Sequence, residues 1–164
     1  MSLRIYIPTR GRVGLNKQVT LRELIQYSQE KPVLVCPKNE VSLHRKYWSR
    51  VLGCPLNGIG PTRQWILEHS SADIVVMLDD DMQFSYRPDP RSVKLERCTC
   101  LDPMFAYIER CVQEHGFVHG GIGARQGNNH KDGSSKRLGV VTEGHIVVDC
   151  ERANNAHWMN RAKV

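Results

Sequence analysis

Residues 74–78, IVVML, are five consecutive apolar residues that run straight into Asp79, Asp80 and Asp81 before the chain turns apolar again at Met82. A strand with one face in water alternates polar and apolar residues, whereas an unbroken apolar run reads as a strand covered on both faces. Such strands belong to parallel sheets, whose crossover connections lay helices over both faces. The run PVLVC at 32–36, bounded by prolines, carries the same signal, and LRIYIP at 3–8 supplies a further strand. The expected fold is therefore α/β, a three-layer sandwich around a mostly parallel, twisted central sheet.

The connecting segments fit that expectation. Leu21, Leu24 and Ile25 recur at helical spacing within 16–29, where either Asn16 or a Thr20–Glu23 capping box can start the helix. Residues 41–50 read as a second helix. Gly58 and Gly60 loosen the chain ahead of a third, with Pro61 at its first position and its end near Ser70 and Ser71. Residues 85–100 read as irregular. The clearest helix follows, with Asp102 as its cap, Pro103 at its first position, a stripe of Met104, Phe105, Ile108, Cys111 and Val112, and Gly116 at its end. Beyond it lie FVHGGIGAR, a Gly-rich loop long enough to be mobile, GVVTEGHIVVD as a strand, and ANNAHWMNRAKV. With no internal repeat, a single domain over 1–164 accommodates these elements.

Charge and cysteine usage narrow the function classes. No stretch approaches 18 apolar residues, and the N-terminus begins at once with a strand, so neither a membrane span nor a signal peptide is expected, and the protein is expected in the cytoplasm. Six cysteines include no CxxC pair, which favours reduced structural thiols over a zinc site. The net charge of +6 is uneven: residues 1–63 hold 11 Lys and Arg against 3 acids, whereas 64–164 hold 12 against 14. A basic first segment facing an acidic triplet suits an anionic ligand bridged by a metal, and it also suits nucleic acid.

In open parallel sheets ligands bind outside the carboxyl ends of the strands, where PTRGR, CPKNE and DDD all fall. Three adjacent carboxylates repel one another unless a cation, a proton or open water relieves them. Mg²⁺ and Mn²⁺ prefer carboxylate oxygens and often take only one or two from the protein, leaving phosphates to complete the shell. Alternate residues of an extended backbone point the same way, so Asp79 and Asp81 are expected to face one ion. The competing reading is a solvated acidic turn.

In IYIPTRGR, CPKNE, GPTRQWILEHSSADIVVMLDDD and the order of elements between them, residues 3–84 resemble the GT-A fold glycosyltransferases, in particular the family-two-like group. The resemblance implies a nucleotide-sugar-binding half at 1–84 and an acceptor half at 85–164, in a chain that is either a compact phage or bacterial version or part of a longer one. It implies that Asp79, Asp80 and Asp81 act as the family's DxD motif, with Asp79 and Asp81 on Mn²⁺ or Mg²⁺ and with Asp79 and Asp80 also toward the nucleotide sugar. Pro8, Thr9, Arg10, Arg12 and Arg63 fall at donor-binding positions of the family, and His157 at the place of a late metal ligand, with His145 as the other candidate. An inverting member needs a base, for which Glu143 and, after it, Asp149 are available, although neither sits in a full ED motif. The donor would be a nucleoside-diphosphate sugar. The acceptor is open, and DNA carrying a modified base is one class that the basic first segment suits.

Two other readings compete. A metal-dependent nucleotidyltransferase shares the carboxylates, the metal and the nucleotide, but TRGR only partly imitates its Gly-rich activating loop. A non-enzymatic basic nucleic-acid-binding module predicts salt-sensitive DNA binding without metal dependence.

Overall fold

The computed structural model of the chain describes residues 1–86, 96–116, 118–121, 139–141, 147–149 and 156–160. In chain order the elements are β1 (Leu3–Pro8), α1 (Val19–Tyr27), β2 (Val33–Pro37), α2 (Val41–His44), β3 (Val51–Cys54), α3 (Ile59–His69), β4 (Ile74–Leu78), β5 (Ser85–Tyr86), β6 (Glu96–Arg97), α4 (Asp102–His115), β7 (His119–Gly121), β8 (Gly139–Val141), β9 (Val147–Asp149) and β10 (Ala156–Asn160). Single turns of 3₁₀ helix cover Leu15–Lys17 and Lys38–Glu40. The main sheet runs β3-β2-β1-β4-β10-β7. Its first four strands are parallel, and β10 lies antiparallel between β4 and β7.

All five residues of β4 are buried, as an unbroken apolar run requires. The pleat divides them between two layers. Ile74, Val76 and Leu78 pack with Ile5, Ile7 and Leu34, under Leu21 and Leu24 of α1 and Ile108 of α4. Val75 and Met77 face the other way, with Tyr6, Val35 and Ile66 of α3. The three-layer α/β arrangement expected from the sequence is thus observed. Burying each of these Leu and Ile side chains contributes about 1.5–3 kcal/mol, so the two clusters hold the sheet rigid beneath its rim.

The chain steps from β1 outward to β2 and β3, then returns to the opposite side of β1 to form β4. Strand order therefore reverses at β1: α1, which leaves the carboxyl end of β1, packs on one face of the sheet, and α3, which leads into β4, packs on the other. A crevice outside the carboxyl ends of the strands is expected at such a reversal. Both the TRGR turn and the aspartates emerge at that crevice.

Several local expectations need correction. The helix read over 41–50 is only Val41–His44, and Val51–Cys54 forms an unanticipated edge strand, with Leu52 exposed and Val51 and Cys54 buried. Neither Asn16 nor a Thr20–Glu23 box caps α1: Gln18 is its cap residue, Thr20 bonds the backbone of the aspartate turn, and Glu23 pairs with Arg97 at 2.6 Å. Helix α3 begins at Ile59, so Pro61 is its third residue, and Gly58, at φ 98°, precedes it in a conformation that a side chain would disfavour. Within 85–100, Ser85–Tyr86 and Glu96–Arg97 form a short antiparallel pair. GVVTEGHIVVD is two paired strands, Gly139–Val141 and Val147–Asp149, while the mobile loop expected at 126–137 lies outside the described residues.

Helix α4 starts one residue early. Leu101 is its cap residue, Asp102 and Pro103 open the helix, and Gly116 ends it at φ 63° as expected. The Asp102 carboxylate instead reaches across to the end of α1, accepting hydrogen bonds from Ser28 Oγ at 2.6 Å and the Gln29 backbone N–H at 2.9 Å. Asp102→Ala is expected to lower stability by about 1–2 kcal/mol in chemical denaturation and to leave ligand binding at the crevice unchanged.

Among the described residues no helix is long and apolar enough to cross a membrane. Cys36, Cys54, Cys98 and Cys111 are buried free thiols, and Cys100 is an exposed one.

Candidate functional site

A cavity of about 400 Å³ opens at the crevice. Its walls come from the β1 turn with Pro8, Thr9, Arg10 and Arg12, from Cys36 and Pro37 at the end of β2, and from Asp79, Asp80 and Asp81. The first turn of α3 closes the far side with Gly58, Ile59 and Thr62. Seven positions expected from the sequence to bind a ligand thus line one cavity.

The aspartates do not point freely into water. Thr9 Oγ1 donates to Asp80 Oδ2 at 2.6 Å, and Arg12 meets the other oxygen of Asp80 at 2.8 Å while reaching Asp81 Oδ2 at 3.2 Å. Arg63, rising from α3, holds Asp79 Oδ1 at 2.6 Å. Two guanidinium groups therefore face three carboxylates. Burial pushes the Asp79 carboxyl above its usual range, Asp81 and Asp80 push it the same way, and Arg63 opposes them. The triplet is an under-compensated patch of negative charge.

Its backbone is held from below by the start of α1. The Thr20 N–H donates to Asp80 O at 3.2 Å, the Thr20 hydroxyl donates to Asp79 O, and the same hydroxyl accepts the Met82 N–H at 2.8 Å. The fully buried Gln18 ties the β1 turn to this base, its Nε2 donating to Thr9 Oγ1 at 2.9 Å and to the Arg12 carbonyl at 2.8 Å. From the β2 side, Glu40 accepts the Gly11 N–H at 2.9 Å and is backed by His44 at 3.4 Å, whose other ring nitrogen bonds the Tyr47 hydroxyl. Sequence reasoning missed Gln18, Thr20 and Glu40. Glu40 lies in the CPKNE segment, which marked the rim, but Thr20 carries no local signal because its partners lie 59 and 62 residues away, and Gln18 carries none because its bonds to Thr9 and Arg12 form only once the β1 turn folds back over it.

The remaining candidates are less fully described. Arg63 touches the triplet through Asp79. His157 lies on β10 with its backbone paired to Met77, two positions before Asp79, so the register returns that strand to the same rim. Asp149 ends β9, opposite Gly139 of β8. Glu143 and His145 lie outside the described residues. Cys36 lines the cavity, but burial pushes its thiol up to about 11, Glu40 adding to the effect and Arg45 opposing it, so it stays protonated and is a poor metal ligand.

The donor set left for a cation is carboxylate oxygen. Asp79 Oδ2 and Asp81 Oδ1 have no partner among the described residues, whereas both oxygens of Asp80 are engaged. Among those residues no three His, Cys, Asp or Glu side chains converge as a closed metal cage. Two hard oxygens at the rim of an open cavity fit Mg²⁺ or Mn²⁺, ions that keep few protein ligands and fill their shells with water and phosphate.

A family model described as TET-associated glycosyltransferase matches residues 3–163. No curated protein matches the chain. Among solved structures, the crystal structure of S. aureus TarS 1–349 is similar, at 17% identity and a TM-score of 0.45, over 77% of this chain and 38% of that one. The chain thus spans little more than a third of the length of that structure.

Proposed function

The chain belongs to the TET-associated glycosyltransferase family, and from that premise we propose that it moves a sugar from a nucleoside-diphosphate sugar, bound in the crevice cavity, to an acceptor hydroxyl. The observation that carries the reading is the convergence of Thr9, Arg12, Asp79, Asp80 and Asp81 on one cavity at the point where strand order reverses. Neither a nucleotidyltransferase nor a non-enzymatic nucleic-acid-binding module draws support from the family match.

In this reading the turn Pro8–Arg12 flanks the nucleoside, with Arg10 and Arg12 available to phosphate oxygens through paired N–H donors. Asp80, held through one oxygen by Thr9 at 2.6 Å, would face the sugar or ribose hydroxyls. The first turn of α3 turns its positive end toward the cavity, which favours an anionic group there. Asp79 and Asp81 would hold Mn²⁺ or Mg²⁺, with His157 as a further ligand from β10. Bound there, the ion would stabilise the negative charge that develops on the departing diphosphate. Arg63, bonded to Asp79 at 2.6 Å, opposes the burial that raises the Asp79 carboxyl.

A base must take the acceptor's proton if the reaction inverts, and Glu143 is proposed for it ahead of Asp149. DNA is the proposed acceptor class, on the strength of the basic 1–63 segment, of which exposed Arg10 and Lys38 lie on or beside the cavity rim. The buried free thiols suit a reducing cytoplasm.

Thermal unfolding with UDP, GDP, CDP and TDP, each with and without Mn²⁺, tests the donor site. One nucleotide is expected to raise the midpoint by several degrees with the metal and by little without it, because a ligand bound only by the native state stabilises it. Equal shifts with and without Mn²⁺ would show that the donor site works without a metal.

A further inference from the structure

We infer that Arg12 is a resident counter-ion of the acidic triplet, which a divalent cation displaces and the donor's diphosphate then takes up. The inference rests on the reading of the cavity as a nucleotide-sugar site, but its first half stands on geometry alone. The Arg12 fork spans two carboxylates, Nη1 on Asp80 at 2.8 Å and Nη2 on Asp81 at 3.2 Å. It therefore sets one positive charge against Asp81 Oδ2, on the same carboxylate whose other oxygen a cation would use. A guanidinium and a divalent ion cannot share that carboxylate without strong like-charge repulsion.

The two arginines of the site differ in a way that assigns this role to one of them. Arg63 is anchored on a helix, is 28% exposed, and among the described residues pairs with Asp79 alone. Arg12 lies in a turn, is 43% exposed, and lines the cavity itself. Ion pairs at that exposure are weak and exchange partners readily. Its backbone, by contrast, is pinned, because Gln18 holds the Arg12 carbonyl and Glu40 holds the neighbouring Gly11 N–H. Only the side chain is left free to swing, and the cavity is within its reach. A planar fork released from two carboxylates is well matched to two phosphate oxygens.

The consequence is thermodynamic coupling. Cation binding frees the phosphate ligand and diphosphate binding draws Arg12 off the cation's carboxylate, so each should strengthen the other by the same factor. Mn²⁺ alone, followed by the spin-resonance signal of the free ion and by calorimetry, should bind Arg12→Gln about tenfold more tightly than the unaltered chain. Arg12→Lys, which keeps a charge but not the fork, should stay close to the unaltered chain. With a saturating nucleoside diphosphate from the thermal panel, the unaltered chain should gain about tenfold in Mn²⁺ affinity, and Arg12→Gln about threefold or less.

Unfolding midpoints of both variants report whether the fold is kept. If Arg12→Gln binds Mn²⁺ alone no more tightly than the unaltered chain, or keeps the full gain with nucleotide, the counter-ion role is overturned. If Arg12→Gln tightens Mn²⁺ but no nucleoside diphosphate binds either protein, the counter-ion half holds and the donor-site reading fails. If folded proteins of both kinds bind no Mn²⁺, both fail together.

Discussion

Asp81→Ala is expected to cut sugar transfer, read as release of nucleoside diphosphate, by about 10²–10³-fold, while the protein without ligand stays as stable as before. The two halves of that result have separate physical causes. Asp81 is 57% exposed and among the described residues contributes one solvent-facing contact, with Arg12 at 3.2 Å. Contacts of that kind are worth little. Its charge also presses on Asp79, whose carboxyl already sits above its usual range mainly through burial, so removing Asp81 relieves a repulsion. The unfolding midpoint should hold or rise slightly. Transfer suffers because the cation would lose one of its two carboxylates, and with it the charge that steadies the leaving diphosphate. The Mn²⁺-dependent thermal shift should disappear in the same variant. A midpoint that falls by many degrees would mean that Asp81 is structural instead.

Thr20→Val should be the more damaging change to the fold around the site. Its hydroxyl is the hinge between α1 and the aspartate turn, donating to Asp79 O and accepting the Met82 N–H at 2.8 Å, and the residue is fully buried. Valine matches the shape and removes both bonds. Leaving a carbonyl and an N–H unsatisfied in that environment is expected to cost about 2–4 kcal/mol, measured by denaturant unfolding. A loosened turn would also misplace Asp79 and Asp81 together, so donor affinity should fall with stability. Thr20→Ser, which keeps the hydroxyl, should recover most of both. If valine costs under about 0.5 kcal/mol, the turn is held by its neighbours and not by this bond.

Much of the scaffold was legible in the sequence because burial on both faces leaves a simple mark. IVVML and VLVC carry no polar residue, and a run that cannot face water can only be a central strand. The stripe in α4 was equally plain, and all five of its residues are buried. What escaped was set by partners distant in the chain. Val51–Cys54 is a four-residue edge strand with one exposed leucine, too short and too mixed for a periodic signal. Asp102 and Thr20 are good cap residues by local chemistry, yet each takes a tertiary partner instead, Ser28 for one and the aspartate turn for the other. The site shows the same division. The aspartates and the TRGR turn were visible because acids and arginines are conspicuous after an apolar strand, whereas Gln18 and Glu40, which position them, look like ordinary surface residues until the chain is folded.

The proposed function requires the cavity at β1 and β4 to hold a diphosphate through a divalent ion on the acidic triplet. A crystal structure of the protein with Mn²⁺ and the nucleoside diphosphate that gives the largest thermal shift tests this most directly. An anomalous manganese peak bonded both to a carboxylate oxygen of Asp79 or Asp81 and to the diphosphate, with Arg12 turned from Asp81 to phosphate, is the predicted result. A nucleotide bound elsewhere, or one lying in the cavity with no manganese between it and the triplet, would contradict it.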